Sequence, residues 1–326
     1  MKRILLVVTL LISTFTLGCF NSPNFSLLPT PEEKLVARVI KTIGDKDTNN
    51  RILLLDIDGP LVGVGERNWL YETDAITTAV SKKLRKATKD KRIKALVIRI
   101  NSPGGTVTAS DIIYREIKIF KEKTNIPVIT IMMDTAASGG YYVACASDKI
   151  VAHKSTITGS IGVIIYSLGF NGLFDKIGME SRVIKSGELK DMGNPFDEFS
   201  DNEKAVFQDI VNRMYEQFLD VIVEGRKIDR EKLRKLADGR IYLGQQALDN
   251  GLIDKVGYIE DALDMAMKDA RIKDAKVLLY THSRKGELNM YSNNLAKAPE
   301  IKSPYPDLET ILNMSRPRLM YMWMGQ

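Results

Sequence analysis

Ala95-Leu-Val-Ile-Arg-Ile-Asn-Ser-Pro-Gly-Gly105 decides the architecture. Its first half, Ala95 to Ile100, is a short β-branched run that reads as a buried strand. Its second half, Asn101 to Gly105, is a turn, and a helical stripe of Ala109, Ile113, Ile117 and Phe120 follows. The same grammar recurs on either side. Residues 74 to 89 place Ala75, Ile76, Ala79, Val80, Leu84 and Ala87 at helical spacing, and Arg51 to Ile57 is a strand closed by Asp58-Gly59-Pro60. Pro127 to Met133 is a strand with a helix beginning near Ser138. Uninterrupted apolar strands alternating with amphipathic helices imply parallel strands covered on both faces. Ligand groups in such folds gather where strands end and helices begin.

Two glycine-rich turns hold those places. In Asn101-Ser-Pro-Gly-Gly105, glycine amides can approach a ligand closely and point at developing negative charge, although a tight turn alone would also ask for glycine. In Ala136-Ala-Ser-Gly-Gly140, Ser138 sits at a helix start, where an N-cap serine is the simpler explanation. The pair of turns together favours an oxyanion site, with Gly139 able to donate to it and Ser138 as a nucleophile. A serine needs a base, and the chain has 2 histidines, His153 and His282, neither placed to serve it. A desolvated lysine can take that role. Lys190, in Ser186-Gly-Glu-Leu-Lys-Asp191, is the candidate, and Lys185 rivals it on spacing.

At 326 residues with 44% hydrophobic and 27% charged, the chain can bury a sizeable core. A net charge of +6 with interleaved lysines and glutamates reads as a solvated surface, which argues against nucleic-acid binding. There is no Cys/His cluster for metal and no phosphate-binding Walker loop, and Asp56 with Asp58 reads as a solvated turn, so no cofactor is expected. Lys2 and Arg3 ahead of the apolar stretch Ile4 to Leu17 mark an export signal. That stretch is shorter than the ~20 residues of a membrane-crossing helix, which makes an uncleaved anchor the second choice. It ends in Thr16-Leu17-Gly18-Cys19, which resembles a bacterial lipoprotein box with Cys19 as the lipidated residue. Cys145 lies in an apolar segment and reads as a core residue.

The expected layout is a signal at 1–18, a tether at 19–48, one catalytic domain at 49–285 and a C-terminal tail at 286–326, polar over 286–306. Ser200 with Glu203 forms a capping box ahead of a long packing helix. Ala275 to Tyr280 is the last expected strand. Arg318-Leu-Met-Tyr-Met-Trp-Met324 is conspicuously apolar for a terminus and is expected to dock within the assembly.

Taken together, Asn101-Ser-Pro-Gly-Gly105, Ala136-Ala-Ser-Gly-Gly-Tyr-Tyr142, Thr158-Gly-Ser-Ile-Gly-Val163, Ser186-Gly-Glu-Leu-Lys-Asp191 and Gly251-Leu-Ile-Asp254 resemble the signal peptide peptidase A family. That family sits in the superfamily of the Clp proteolytic subunit and the crotonases. The resemblance covers most of residues 51 to 270. It implies an α/β crotonase/Clp-protease-like fold of repeated ββα units in a single catalytic domain. It also implies a Ser138 nucleophile, a Lys190 base, Ser160 orienting the lysine, and Gly104 and Gly139 as oxyanion donors. The Clp histidine would fall near Ser160. A chain with one copy of these motifs is implied to assemble as a homo-oligomer, an octamer by resemblance, with the dyad completed between neighbours. The implied substrates are peptides, above all remnants of cleaved signal peptides, and the implied place is the bacterial cell envelope, outside the cytoplasm. Two rivals remain: a crotonase-type acyl-CoA hydrolase or isomerase, and a catalytically silent peptide-binding scaffold.

Overall fold

The computed structural model describes residues 35–63, 74–282, 288–292 and 318–324. The leader and Cys19 lie outside the described residues. The amino-terminal half runs β1 (Val36–Ile43), β2 (Arg51–Asp58), α1 (Ile76–Thr88), β3 (Ile93–Ser102), β4 (Gly104–Thr106) and α2 (Val107–Thr124). Then come β5 (Val128–Ala137), α3 (Gly139–Ala144), β6 (Lys149–Ala152), β7 (Ile157–Gly159), β8 (Ile164–Tyr166) and α4 (Asn171–Ile177). A 3-10 turn at Glu188–Asp191 leads to α5 (Asp201–Arg226) and α6 (Arg230–Leu236). The chain continues through β9 (Ile241–Leu243), α7 (Gly244–Asp249), β10 (Lys255–Val256), α8 (Ile259–Asp269), β11 (Ala275–Thr281) and β12 (Arg318–Met322).

Among the described residues, nine strands form one sheet in the order β1-β11-β2-β3-β5-β6-β10, with β7 beside β5 and β9 beside β7. From β11 to β10 every neighbour is parallel, as is β7 on β5; only β1 and β9 pair antiparallel. Strand periodicity explains the covering of both faces. Leu53, Leu55 and Ile57 of β2 point with Leu96, Ile98 and Ile100 of β3 into the core shared with α1, α2, α3 and α5. Ile52 and Leu54, with Ala95 and Val97, point the other way onto Ile259, Ala262, Leu263 and Ala266 of α8. Each strand is therefore apolar at consecutive positions, the mark of a parallel sheet buried on both sides. This is the α/β class expected from the sequence, a mostly parallel sheet covered by helices on both faces.

The long helix starts as its sequence dictates. Ser200 Oγ accepts from the Glu203 amide at 3.3 Å, and Glu203 Oε2 accepts from the Ser200 amide at 2.8 Å.

Three expectations change. Residues 36–43 belong to the sheet, not to a tether: β1 pairs with β11, more than 200 residues further on. The alternation of a short edge strand is weak locally and acquires meaning only from its distant partner. The second change concerns Asp56, which is no solvated turn residue. It accepts from Arg99 Nε at 2.7 Å with both side chains 5% exposed. Burial pushes its carboxyl up while Arg99 opposes that shift. Arg99 also donates to the carbonyls of Met290 and Ser292, tying residues 288–292 to the sheet. The third change is β12, a strand in a stretch assigned to the C-terminal tail, held in a small antiparallel sheet between β4 and β8.

Candidate active site

Parallel register brings the separate motifs to one place. Ser102 of β3 is level with Ala136 of β5, and Ala137 of β5 is level with Gly159 of β7. Each next residue turns off the end of its strand, so Ser138 and Ser160 emerge side by side, with the Ser138 amide donating to the Gly159 carbonyl at 2.8 Å. Gly104 follows two positions after Ser102 on the other flank. Strand ends in a parallel sheet are where such groups converge.

Ser138 has φ 51° and ψ −114°, a conformation that an L-residue holds only when its surroundings enforce it. The enforcement is visible. Its amide is held by Gly159, and its carbonyl accepts from the Tyr142 amide at 2.9 Å in the first turn of α3. The side chain is 1% exposed and makes no capping bond to the helix it precedes. The N-cap explanation of this serine therefore fails. A backbone held this way stores about 1–3 kcal/mol, which glycine would release. Ser138→Gly is accordingly expected to melt above Ser138→Ala by several degrees, at about 2–4 °C per kcal/mol, read by thermal denaturation.

Gly104 (φ 102°) lies directly against Gly139, the residue after the serine. A Cβ added at Gly104 would fall 2.8 Å from the Gly139 nitrogen and 2.0 Å from the Tyr321 carbonyl oxygen. One added at Gly139 would meet the same oxygen at 3.1 Å and Ser110 Oγ at 2.4 Å. Both positions thus need glycine because backbone approaches backbone. The Gly139 amide opens α3, where an N–H has no acceptor within the helix. The Gly104 amide donates to Ser102 Oγ at 3.1 Å. Ser102 is fully buried, and its part in orienting this turn was not foreseen; a serine before Pro-Gly-Gly is an ordinary turn residue in sequence terms.

Ser160 shares the left-handed conformation, φ 48°, and is 9% exposed, with its amide on the Arg240 carbonyl at 2.8 Å. Lys190 is not brought to this cluster. It lies on the 3-10 turn, exposed, and makes no hydrogen bond to Ser138. Lys185 forms an ion pair with Asp191 at 2.7 Å, which raises its affinity for the proton. Held protonated by that carboxylate, it has no free lone pair with which to take the serine proton. Around Lys190 the segment exposes apolar side chains: Leu173, Ile177, Val183, Ile184, Leu189 and Phe199 are each exposed, Ile184 completely.

Other candidates fall away by placement. His153 packs edge-on against Tyr258, 5.1 Å between ring centres, and makes no bond to Ser138. Cys145 is buried in the core, and burial pushes its thiol up to about 12, far from a thiolate nucleophile. No cluster of metal-ligating side chains occurs among the described residues.

The Peptidase family S49 model matches residues 120–273, and the Clp protease model matches residues 71–160. Over 291 residues the chain is 37% identical to a candidate signal peptide peptidase SppA of Enterococcus faecium, across 87% of this chain and 84% of that protein. It is 35% identical over 260 residues to the chloroplastic serine protease SPPA of Arabidopsis thaliana, covering 79% of this chain but 38% of that longer one. Among solved structures, a mutant of the 1510-N membrane-bound stomatin-specific protease aligns at a TM-score of 0.44 and 18% identity, over 67% of this chain and 84% of that one.

Proposed function

This chain belongs to peptidase family S49 and is a serine-type endopeptidase, and from that premise we propose that it cuts peptides with a Ser138/Lys190 dyad completed by oligomerisation. The observation that carries the reading is Ser138 itself: buried, its side chain making no capping bond, its backbone held at φ 51°, with Gly104 and Gly139 beside it. Ser138 Oγ attacks the peptide carbonyl, and the amides of Gly104 and Gly139 take the oxyanion. In that step the Gly104 amide exchanges Ser102 Oγ for the substrate oxygen. The serine proton passes through the Lys190 amine to the departing nitrogen, and water then hydrolyses the ester and regenerates Ser138.

Lys190 must be neutral to accept that proton, which requires removal from water. In a single chain it stands exposed, and the apolar side chains beside it lack cover. A neighbouring copy packed on this segment supplies both needs, burying the lysine and carrying it to a serine. Ser160, beside Ser138, is positioned to hold the arriving amine.

The substrates we assign are peptides near a membrane, including remnants of cleaved signal peptides. Cys19 would carry the lipid that holds the catalytic domain at the cell envelope, outside the cytoplasm. Among the described residues no helix is long and apolar enough to cross a membrane.

Treatment of the protein purified from membranes with a fluorophosphonate, followed by mass spectrometry, tests the reading. A single adduct is expected on Ser138, and the same spectrum is expected to show a mature chain beginning at acylated Cys19. An adduct on another serine would refute the nucleophile assignment, and an unmodified amino terminus would refute the lipid anchor.

A further inference from the structure

A second group of charges gathers away from the candidate nucleophile. A cavity of about 310 Å³ is lined by Arg51 at the start of β2, Lys86 near the end of α1, Lys89, Asp90 and Arg92 in the turn that follows, and Tyr280 of β11. Arg51 opens its strand, whereas Ser138 follows the far end of the parallel strand β5. Four cations against one carboxylate leave a net charge of 4 minus 1, or +3. The carbonyl pole of α1 accounts for Lys86 and Lys89 at its end. It does not account for Arg51 and Arg92, which the sheet itself brings together, the Arg51 amide donating to the Arg92 carbonyl at 2.8 Å.

One carboxylate is shared by two guanidiniums. Asp90 accepts from Arg51 Nη1 at 2.9 Å and from Arg92 Nε and Nη2 at 2.8 and 3.1 Å. Among the described residues Arg51 Nε and Nη2 make no hydrogen bond, and the exposed Lys89 pairs with no carboxylate. Lys86 Nζ donates to the Leu35 carbonyl and lies 4.9 Å from the centre of the Tyr280 ring, so its charge is uncompensated too. Tyr280 is 2% exposed, yet its hydroxyl makes no hydrogen bond among the described residues. Burial pushes that hydroxyl up to about 12, with Asp90 adding to the rise and Arg51 and Arg92 opposing it. It is therefore a protonated donor amid the charges of the cavity. Gathering like charges around an unpartnered buried hydroxyl costs free energy, and a bound anion offsets that cost.

We propose that this cavity binds the phosphate of an anionic phospholipid headgroup, with Arg51, Lys89 and Arg92 supplying charge and the Tyr280 hydroxyl a directed hydrogen bond. Guanidinium suits this ligand because its paired N–H groups match two phosphate oxygens. The membrane as the source of the phosphate rests on the reading of Cys19 as a lipidated residue. Cys19 lies 35 minus 19, or 16, positions ahead of Leu35, a span of at most about 55 Å. Lys86 holds Leu35 at the rim of the cavity, so the cavity stays within reach of the surface that such an anchor defines. The exposed Arg85 and Lys91 nearby in sequence form no ion pair among the described residues and add attraction for the same anionic surface.

The test titrates the full-length protein, held in a neutral detergent, with dihexanoyl phosphatidylglycerol, dihexanoyl phosphatidylcholine and inorganic phosphate, read by calorimetry. Phosphatidylglycerol is expected to bind at least about tenfold more tightly than either of the others. Tyr280→Phe is expected to weaken that binding about tenfold, and Arg92→Gln about fivefold. Lys235→Gln, at an exposed lysine of α6, is expected to leave it unchanged, and casein cleavage by all three variants is expected to match the wild type. Phosphatidylcholine or inorganic phosphate binding as tightly as phosphatidylglycerol overturns the lipid assignment. An equal loss in Lys235→Gln and Arg92→Gln overturns the pocket in favour of diffuse charge attraction, and no binding of any of the three ligands by the wild type overturns the whole proposal. Because the short-chain lipid is soluble, the result does not depend on Cys19: tight phosphatidylglycerol binding beside an unmodified amino terminus supports the pocket and refutes the anchor alone.

Discussion

Ser138→Ala is expected to lower peptide hydrolysis by at least about 10⁴-fold while leaving the fold and oligomer size unchanged. The magnitude follows from what the hydroxyl does in this site. It supplies the bond-forming atom, so its loss removes the covalent route entirely and leaves only whatever the two glycine amides give to attack by water. The change is also structurally mild. The Ser138 side chain makes no bond to its helix, and alanine tolerates φ 51° about as poorly as serine does, so the backbone strain is equal in the two proteins. Steady-state cleavage of casein beside a size-exclusion profile reads both quantities. Activity within tenfold of wild type would place the nucleophile elsewhere.

The second large effect concerns where Lys190 acts. Lys190→Ala alone is expected to be as inactive as Ser138→Ala, because a serine without its base is a weak nucleophile. Mixing is the informative step. When the two inactive variants are dissociated and reassembled together, a site with an intact serine from one copy and an intact lysine from its neighbour arises in about a quarter of pairings in a random assembly. Recovery to roughly that fraction of wild-type activity is expected. If serine and lysine came from the same copy, every mixed site would lack one of them, and activity would stay at the level of the separate variants. The exposed position of Lys190, and the uncovered apolar side chains around it, are the grounds for expecting recovery.

The elements that form the site differ in how far they could be read from the chain. Strands β2, β3 and β5 declare themselves through consecutive apolar residues, and each ends in residues that only a turn would want. The capping box at Ser200 and Glu203 is equally local, three residues apart and formed as written. Ser138 was legible as a position but ambiguous as a role, since an N-cap and a nucleophile look alike in a string of letters. The φ of 51° and the absent capping bond separate them. Ser102 gave no signal of its own, and Asp56 misled, because its partner Arg99 lies on the next strand over and an ion pair across strands leaves no local pattern. Strand β12 announced only its apolar character; its seat between β4 and β8 depends on residues more than 150 positions earlier.

What the sequence determined by itself was the alternation of strand and helix, the two-faced burial of the sheet, and the residue types waiting at the strand ends. Hydrophobic period and turn chemistry act over a few residues and survive without a fold. What only the tertiary structure decided was company: Ser138 beside Ser160 through parallel register, Gly104 against Gly139, Arg99 on Asp56, and Tyr280 among the cations of its cavity. Those meetings are set by which strands become neighbours, and that choice is made by the packing of the whole core, in which every local preference is satisfied at once. Lys190 shows the same rule one level higher. A folded copy leaves it exposed, and the partner it needs comes, on our reading, from the packing of one copy against the next.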